Sequence, residues 1–166
     1  MRVLGIDGGL AITGYGVIEK KESRLSYVCH GVITTSKFEE NSKRLVKIYN
    51  DVKKIVAHEK PDIVGIEQLF YFRNTTTIIT VAQARGVILL ALEEMGMSIV
   101  EVTPLQVKQF VSSYGRAEKK QVQQMVKFLL NLKEIPRPDD AADALAIALC
   151  SLNIHKYDIT LTKNKN

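Results

Sequence analysis

Acidic residues stand at three places in this chain of 166 residues where a fold can bring them together. Asp7 and Glu67 each end a short apolar run, with the similar sequences VLGID and IVGIE. The later segment DDAAD puts Asp143 one helical turn after Asp139 and Asp140, on the same face as both. Carboxylates at the ends of neighbouring strands and at the start of a helix can surround one hollow, so the spacing predicts a cluster of four acids.

Clustered carboxylates repel one another unless protons or cations neutralise them. Hard divalent cations with oxygen ligands, chiefly Mg²⁺ or Mn²⁺, are the usual partners. Two such ions about 3.5–4 Å apart form the arrangement that hydrolyses phosphodiesters. Asp is also favoured at helix N-termini, so Asp139 and Asp140 have a second interpretation as capping residues, which we favour for Asp139. Asp143 lies in an Ala- and Leu-rich helix, where a carboxylate needs a partner.

The rest of the chain alternates between patterns typical of strands and of helices. Closely spaced β-branched and aromatic runs near the N-terminus indicate antiparallel hairpins, and later apolar stripes indicate helices. Thr103-Pro104-Leu105-Gln106 has capping-box spacing with Pro at the first helical position, so a helix begins there. We expect strands at 3–7, 15–19, 25–34, 63–67 and 98–102, and helices from 42 to before Pro61, at 77–95, from 104, after Gly115 and at 139–152.

The predicted order, β-β-β-α-β-α-β-α-α-α, implies an α/β fold with a five-stranded mixed sheet and helices on both faces. In such a sheet the chemistry belongs at the carboxyl ends of strands near the point where strand order reverses. The length suits one domain and opposes a two-domain enzyme. We expect a single domain over residues 1–155 and a polar, disordered tail at 156–166.

Composition narrows the class of protein. The sequence is 46% hydrophobic and 25% charged, which is an ordinary globular balance and argues against disorder. Cys29 and Cys150 have no C-x-x-C spacing, so neither a zinc knuckle nor a redox motif is available. The N-terminus does not read as a signal peptide and no apolar run reaches membrane-spanning length. We therefore expect a cytoplasmic protein without a membrane partner.

The positive charge is concentrated in one segment. The chain carries a net charge of +5 and a sequence pI near 9.2, which suggests a polyanionic partner. Residues 104–133 contain six cations and one acid, a surplus equal to that of the whole chain. For any single lysine here a solvated helix face is the alternative interpretation.

Aromatic residues follow Glu67 closely. The segment Phe70-Tyr71-Phe72-Arg73 puts three aromatic side chains beside a cation. Exposed aromatics next to a carboxylate site suit stacking on unpaired bases. Burial in the core is the alternative for each ring, although one extended segment cannot turn them all inward.

Seven segments, in order and spread over residues 1–155, resemble the RuvC family of Holliday-junction resolvases. They are GID at 5–7, TGYGVI at 13–18, IEQ at 66–68, QARG at 83–86, QVKQ at 106–109, AEK at 117–119 and DAADALA at 140–146. The resemblance implies a ribonuclease H-like fold, a homodimer and Mg²⁺-dependent paired nicking of four-way DNA junctions. It also implies cooperation with a junction branch-migration helicase complex of the RuvA and RuvB type.

Carried over position by position, the resemblance puts the family's catalytic, metal-binding carboxylates on Asp7, Glu67, Asp140 and Asp143. It thereby chooses between Asp139 and Asp140, which helix spacing leaves open. The family usually has Pro after the first Asp, where this chain has Gly8. This departure removes no ligand, although it adds flexibility to the unfolded chain.

The resemblance also implies DNA-contacting residues. Phe70, three residues after Glu67, matches an aromatic wedge at the junction crossover, with Tyr71 and Arg73 as its neighbours on the DNA surface. Lys108 and Lys119 match positions that contact DNA or support catalysis, and Lys120 is a further candidate. Phosphate contacts of this kind give affinity and register without base readout.

The sequence therefore predicts a structure-selective endonuclease that leaves ligatable nicks with 5′-phosphates. One rival is an ATP-binding domain of the actin and sugar-kinase type, which has a similar first strand and Gly-rich hairpin. Length opposes it, because that class needs two such domains and a second Gly-rich nucleotide loop. A junction-binding module without cleavage is the other rival, and the retention of all four acids opposes it.

Overall fold

The computed structural model describes residues 1–69 and 75–163, and it has the element order that the sequence predicts. Two strands, β4 and β5, and the starts of the third and fifth helices lie where they were predicted. The other ends differ by a few residues, except that the last helix extends well beyond its predicted end. The strands are β1 Arg2–Asp7, β2 Ile12–Lys21, β3 Arg24–Thr34, β4 Ile63–Glu67 and β5 Ser98–Val102. The helices are α1 Asn41–Glu59, α2 Thr75–Glu94, α3 Pro104–Ser112, α4 Lys119–Leu129 and α5 Asp139–Lys163.

The five strands form one mixed sheet in the order β3-β2-β1-β4-β5. β1, β2 and β3 are antiparallel neighbours, whereas β4 runs parallel to β1 and to β5. The chain leaves β1 on one side through hairpins and returns to its other side with β4, so the order reverses between these two strands. Because Ile6 pairs with Ile66, Asp7 and Glu67 come next in register at the same edge of the sheet.

Helices cover both faces of the sheet, as predicted. On one face α1 and α2 bury residues such as Ile48, Val52 and Ile88. On the other face α5 contributes Leu145 and Ile147 to a second core, into which α3 and α4 also pack. Each layer buries an apolar stripe of its helices against alternate residues of the strands, which is the main stabilising term of the fold.

The N-terminal half of α5 lies directly on the sheet because glycines face it. A β-carbon at Gly14 on β2 would overlap the carbonyl oxygen of Asp140, and one at Gly5 on β1 would overlap the backbone of Ala144. Side chains at these positions would lift the helix away from the strands. The glycines therefore bring the acidic start of α5 next to the end of β1.

The last helix is longer than predicted. It continues to Lys163, so residues 156–163 have helical backbone where a disordered tail was expected. The sequence contains neither Gly nor Pro after Pro138, and nothing in it stops the helix near Leu152. Polar composition alone was thus a poor guide to the end of this element.

Gly8 directly follows β1. Its φ angle is not positive, because Gly96 is the only glycine among the described residues with a positive φ. A β-carbon at this position would lie 3.0 Å from Cδ1 of Ile88, so a larger residue requires a small shift of that side chain. No helix in the described parts of the chain is long and apolar enough to cross a membrane.

Candidate active site

A cavity of about 300 Å³ opens where β1 and β4 end beside α5. Three of the four predicted carboxylates, those of Asp7, Glu67 and Asp143, line it. Lys108 from α3 and Lys119 from α4 line it as well. Its apolar wall consists of Pro104, Val107, Val122, Ala146 and Ile147. Three acids and two bases from five different elements therefore share one hollow.

Local sequence fixes where both lysines enter the cavity. The Thr103 hydroxyl accepts a hydrogen bond from the Gln106 backbone N–H at 3.1 Å, and the Gln106 Oε1 accepts one from the Thr103 backbone N–H at 2.8 Å. This predicted capping box starts α3 one turn before Lys108. A second capping box, formed by Glu118 and Gln121, starts α4 at Lys119.

The carboxylates of the cavity are costly to ionise together. Burial first, and then the charges of Asp143, Glu67 and Asp140, raise the pKa of Asp7 to about 7. Burial and Asp143 also raise the pKa of Glu67, while Lys108 acts in the opposite direction. The acids thus lack enough positive charge among the protein's own side chains, which is the condition that a bound cation relieves.

Lys119 lies within ion-pair distance of the cluster. Its Nζ lies 2.9 Å from Oδ2 of Asp143 and 3.7 Å from Oδ2 of Asp139. Burial raises the pKa of Asp143, and the contact with Lys119 partly offsets that rise. The sequence predicted a DNA-contacting or supporting lysine here, and the structure puts its ammonium group among the acids.

The charges of Asp139 and Asp140 both raise the pKa of Asp143, and the two residues differ in their other contacts. Asp139 forms ion pairs with Arg137 at 3.1 Å and with Lys119, at the rim of the cavity. Asp140 is half-buried and does not line the cavity wall, yet its charge raises the pKa of Asp7, whereas Asp139 is not among the groups that do so. Asp140 therefore belongs electrostatically to the cluster at the end of β1.

The donor set fits a hard divalent cation, because all its members are carboxylate oxygens and they repel one another. Within residues 1–69 and 75–163, no three acidic, His or Cys side chains are already closed round a common point. Asp143 instead contacts Lys119. A cation bound by Asp143 would therefore share its carboxylate with the Lys119 ammonium group or displace that group.

The other predicted DNA contacts lie elsewhere or outside the described residues. Lys120 lines a separate cavity of about 420 Å³ with Tyr114 and Met125, not the carboxylate cavity. Phe70, Tyr71 and Arg73 lie outside the described residues.

Arg85 is a residue at the site whose role sequence reasoning missed. Its Nε donates a hydrogen bond to the carbonyl oxygen of Glu67 at 3.1 Å. The QARG motif at 83–86 marks Arg85 in the sequence, but the motif alone does not show which residue this arginine contacts.

The family profile described as crossover junction endodeoxyribonuclease RuvC matches residues 3–151. This chain belongs to the RuvC family. Two curated relatives named crossover junction endodeoxyribonuclease RuvC, from Caldanaerobacter subterraneus subsp. tengcongensis and Heliobacterium modesticaldum, are 53% and 54% identical over 150 residues. These alignments cover 90% of this chain and 91% and 93% of the relatives.

Solved structures agree with membership of the RuvC family. The structure of T. thermophilus RuvC in complex with Holliday junction substrate superposes with a TM-score of 0.89 at 34% identity, covering 95% of this chain and 96% of that one. The yeast mitochondrial Holliday junction resolvase Ydc2 has the same fold, with a TM-score of 0.65 at 14% identity over 90% of this chain and 77% of that one. The predicted ribonuclease H-like fold is confirmed.

The raised pKa of Asp7 predicts a cost in stability for this member of the RuvC family. The folded state holds the Asp7 proton more tightly than the unfolded state, so this contribution to stability is full below the ordinary pKa near 3.8 and lost as pH rises through about 7. In EDTA at about pH 8, Asp7→Asn should therefore melt at least about 5 °C above the wild type, and the gap should close at about pH 4. Equal melting temperatures of the two proteins at the higher pH would contradict the repulsion described above.

Proposed function

We propose that this protein resolves four-way DNA junctions by paired, metal-dependent nicks. The observation that carries the proposal is the cavity at the ends of β1 and β4, where carboxylates and lysines meet beside the start of α5. Membership of the RuvC family, matched over residues 3–151, favours this function over an ATP-binding domain or a junction-binding module without cleavage.

Asp7, Glu67, Asp140 and Asp143 would hold the metal, with Mg²⁺ as the expected ion and Mn²⁺ as a substitute. A divalent cation held by these carboxylates would supply an activated water and charge stabilisation at the leaving 3′ oxygen, and the nicks would then carry 5′-phosphates. Asp7 and Glu67 end adjacent strands of one sheet, so the backbone holds the spacing of their side chains. Lys119 contacts Asp143 at 2.9 Å, and in the proposed function its ammonium group would bind a DNA phosphate beside the metal site.

We assign the binding of DNA to two groups of residues. Lys108 and Lys119 in the cavity, with Lys120 beside it, lie in the segment that carries the chain's positive surplus. Such lysines bind the phosphates of the DNA backbone, whatever the base sequence. Phe70 would be the wedge at the crossover, flanked by Tyr71 and Arg73. Stacking of an aromatic ring on an unpaired base contributes about 1–3 kcal/mol to binding.

Paired nicks require two active sites, and the exposed face of α2 supports a homodimer. Ile79 and Leu90 on this face are 65% and 54% exposed. Gly86 lies between them, and a β-carbon there would meet nothing within 4 Å. A helix-interior Gly costs about 1 kcal/mol relative to Ala, so it is best explained by the close approach of a second helix. Residues 75–92 contain a single charged side chain, that of Arg85.

Charges placed on this face should separate the dimer. Ile79→Lys combined with Leu90→Lys should give a monomer in sedimentation experiments, because lysine cannot be buried in an apolar helix contact. Phe128→Lys is the matched control, since Phe128 is 76% exposed on α4, across the sheet from α2. The control should stay dimeric and make paired nicks, whereas the double variant should make single nicks. A dimeric double variant would rule out α2 as the interface.

The remaining assignments depend on the family alone. We place the protein in the cytoplasm, with residues 1–155 as its nuclease domain. We also propose that it works with a branch-migration helicase complex of the RuvA and RuvB type.

Cleavage of a synthetic four-way junction tests the proposed function. The purified protein should cut the junction with Mg²⁺ and not with EDTA, and a linear duplex of the same sequence should stay intact. DNA ligase should reseal the products, because they carry 5′-phosphates. Equal cutting of junction and duplex would contradict structure selectivity, and cutting in EDTA would contradict metal dependence.

A further inference from the structure

Arg85 joins α2 to the ends of two strands. Its Nε donates to the carbonyl oxygen of Glu67 on β4 at 3.1 Å, and its Nη2 pairs with the carboxylate of Glu101 on β5. The Arg85 side chain is only 17% exposed, whereas the Glu101 side chain is 46% exposed. This guanidinium is thus largely withdrawn from solvent, and two of its nitrogens are already occupied by protein acceptors.

These contacts occur where the chain leaves the sheet. Glu67 is the last residue of β4, and the Gln68 N–H makes one more ladder bond, to the Val102 carbonyl at 2.8 Å. The Glu67 carbonyl accepts from Arg85, so both the carbonyl and the N–H of the peptide group that follows the Glu67 side chain are held. A planar guanidinium fork can hold two acceptors in fixed directions, which the single ammonium group of a lysine cannot do.

We propose that Arg85 is a positioning residue that fixes the direction in which the Glu67 carboxylate enters the cavity, with Glu101 as its counter-ion. Arg85 does not line the cavity and acts through the backbone of Glu67. The proposal rests on the proposed function in one respect, that Glu67 binds a divalent cation. Outer contacts of this kind orient ligands, and their loss typically costs about 10–100-fold in metal affinity or activity.

Two substitutions of Arg85 and one control test the proposal. Arg85→Met keeps the aliphatic stem and removes both contacts, and Arg85→Lys keeps the charge without the fork. Lys53→Met is the matched control. Lys53 lies on α1 and forms an ion pair at 3.0 Å with Glu94, at the C-terminal end of the helix that carries Arg85. Four quantities are measured for each protein: Mn²⁺ affinity of the DNA-free protein by electron paramagnetic resonance, kcat and KM on a four-way junction, and Tm in EDTA.

Arg85→Met should bind Mn²⁺ about 10–100-fold more weakly and cut with a lower kcat, while its KM for the junction stays within about two-fold of the wild type. High Mn²⁺ should recover part of the rate. Arg85→Lys should lie between Arg85→Met and the wild type, and Lys53→Met should match the wild type in Mn²⁺ affinity and kcat.

Other outcomes overturn the proposal. A lower Tm with unchanged Mn²⁺ affinity and kcat would show that Arg85 only holds α2 in place. A raised KM with unchanged Mn²⁺ affinity would make it a DNA contact. If Arg85→Met fails to fold, Glu101→Gln decides: weaker Mn²⁺ binding supports the proposal, and unchanged binding overturns it. A wild type that binds Mn²⁺ but cuts no junction would refute the proposed function, and the Mn²⁺ affinities would still decide the role of Arg85.

Discussion

Replacing any one of four carboxylates by its amide should stop junction cleavage and leave junction binding intact. The variants are Asp7→Asn, Glu67→Gln, Asp140→Asn and Asp143→Asn. Each loses a charged oxygen donor for a divalent cation, and we expect the rate of cleavage to fall by at least about 10³-fold. Affinity for the junction should stay within about three-fold or improve, because lost negative charge near DNA phosphates reduces repulsion. Gel-shift titration in Ca²⁺ and single-turnover cleavage in Mg²⁺ measure the two quantities.

Asp139→Asn is the matched control for the four acids. It neutralises a neighbouring acid whose contacts are ion pairs with Arg137 and Lys119 at the rim of the cavity. Asp139 does not line the carboxylate cavity and its charge does not raise the pKa of Asp7, so this variant should cut normally. If Asp139→Asn is inactive and Asp140→Asn cuts, the assignment of the ligand at the start of α5 is wrong by one residue.

Lys119→Met should show the second-largest effect. The Lys119 ammonium group lies among the acids and contacts Asp143 at 2.9 Å, and in the proposed function it would face a DNA phosphate. Loss of one such charge from a transition state typically costs about 10²–10³-fold in rate. The salt dependence of junction binding should also weaken by about one unit of slope, since one phosphate contact is lost.

Lys127→Met is the control for Lys119. Lys127 lies on the same helix and borders a cavity other than the one that holds the carboxylates. It should keep the wild-type rate of cleavage. If Lys119→Met also cuts at the wild-type rate with an unchanged salt slope, Lys119 is a solvated surface residue during the reaction.

Local signals explain why much of the fold was predictable from sequence. β4 and β5 are short apolar runs bounded by Pro61 and Gly96, and both were predicted without error. The capping box at Thr103 uses contacts between residues three apart, and these are visible in the sequence itself. The end of α5 was predicted wrongly because polar composition was taken as a stop, although a helix ends only where packing or backbone chemistry ends it.

The sequence predicts the positions of the site's acids better than the contacts of its cations. Asp7 and Glu67 were found because strand ends are readable from sequence and matching ends meet in a parallel pair. The contact between Lys119 and Asp143 joins residues on two different helices, so no local pattern contains it. Arg85 likewise reaches Glu67 only after α2 packs beside β4 and β5.

A plasmid that extrudes a cruciform tests most directly whether two carboxylate sites act together on one four-way junction. Two symmetric nicks at the cruciform convert supercoiled plasmid into a linear molecule, whereas a single nick gives a relaxed circle. In Mg²⁺ the wild type should give linear product early, with little relaxed circle, and Asp7→Asn should leave the plasmid supercoiled. Relaxed circles as the main wild-type product, or linear product from Asp7→Asn, would contradict a dimer with two carboxylate metal sites.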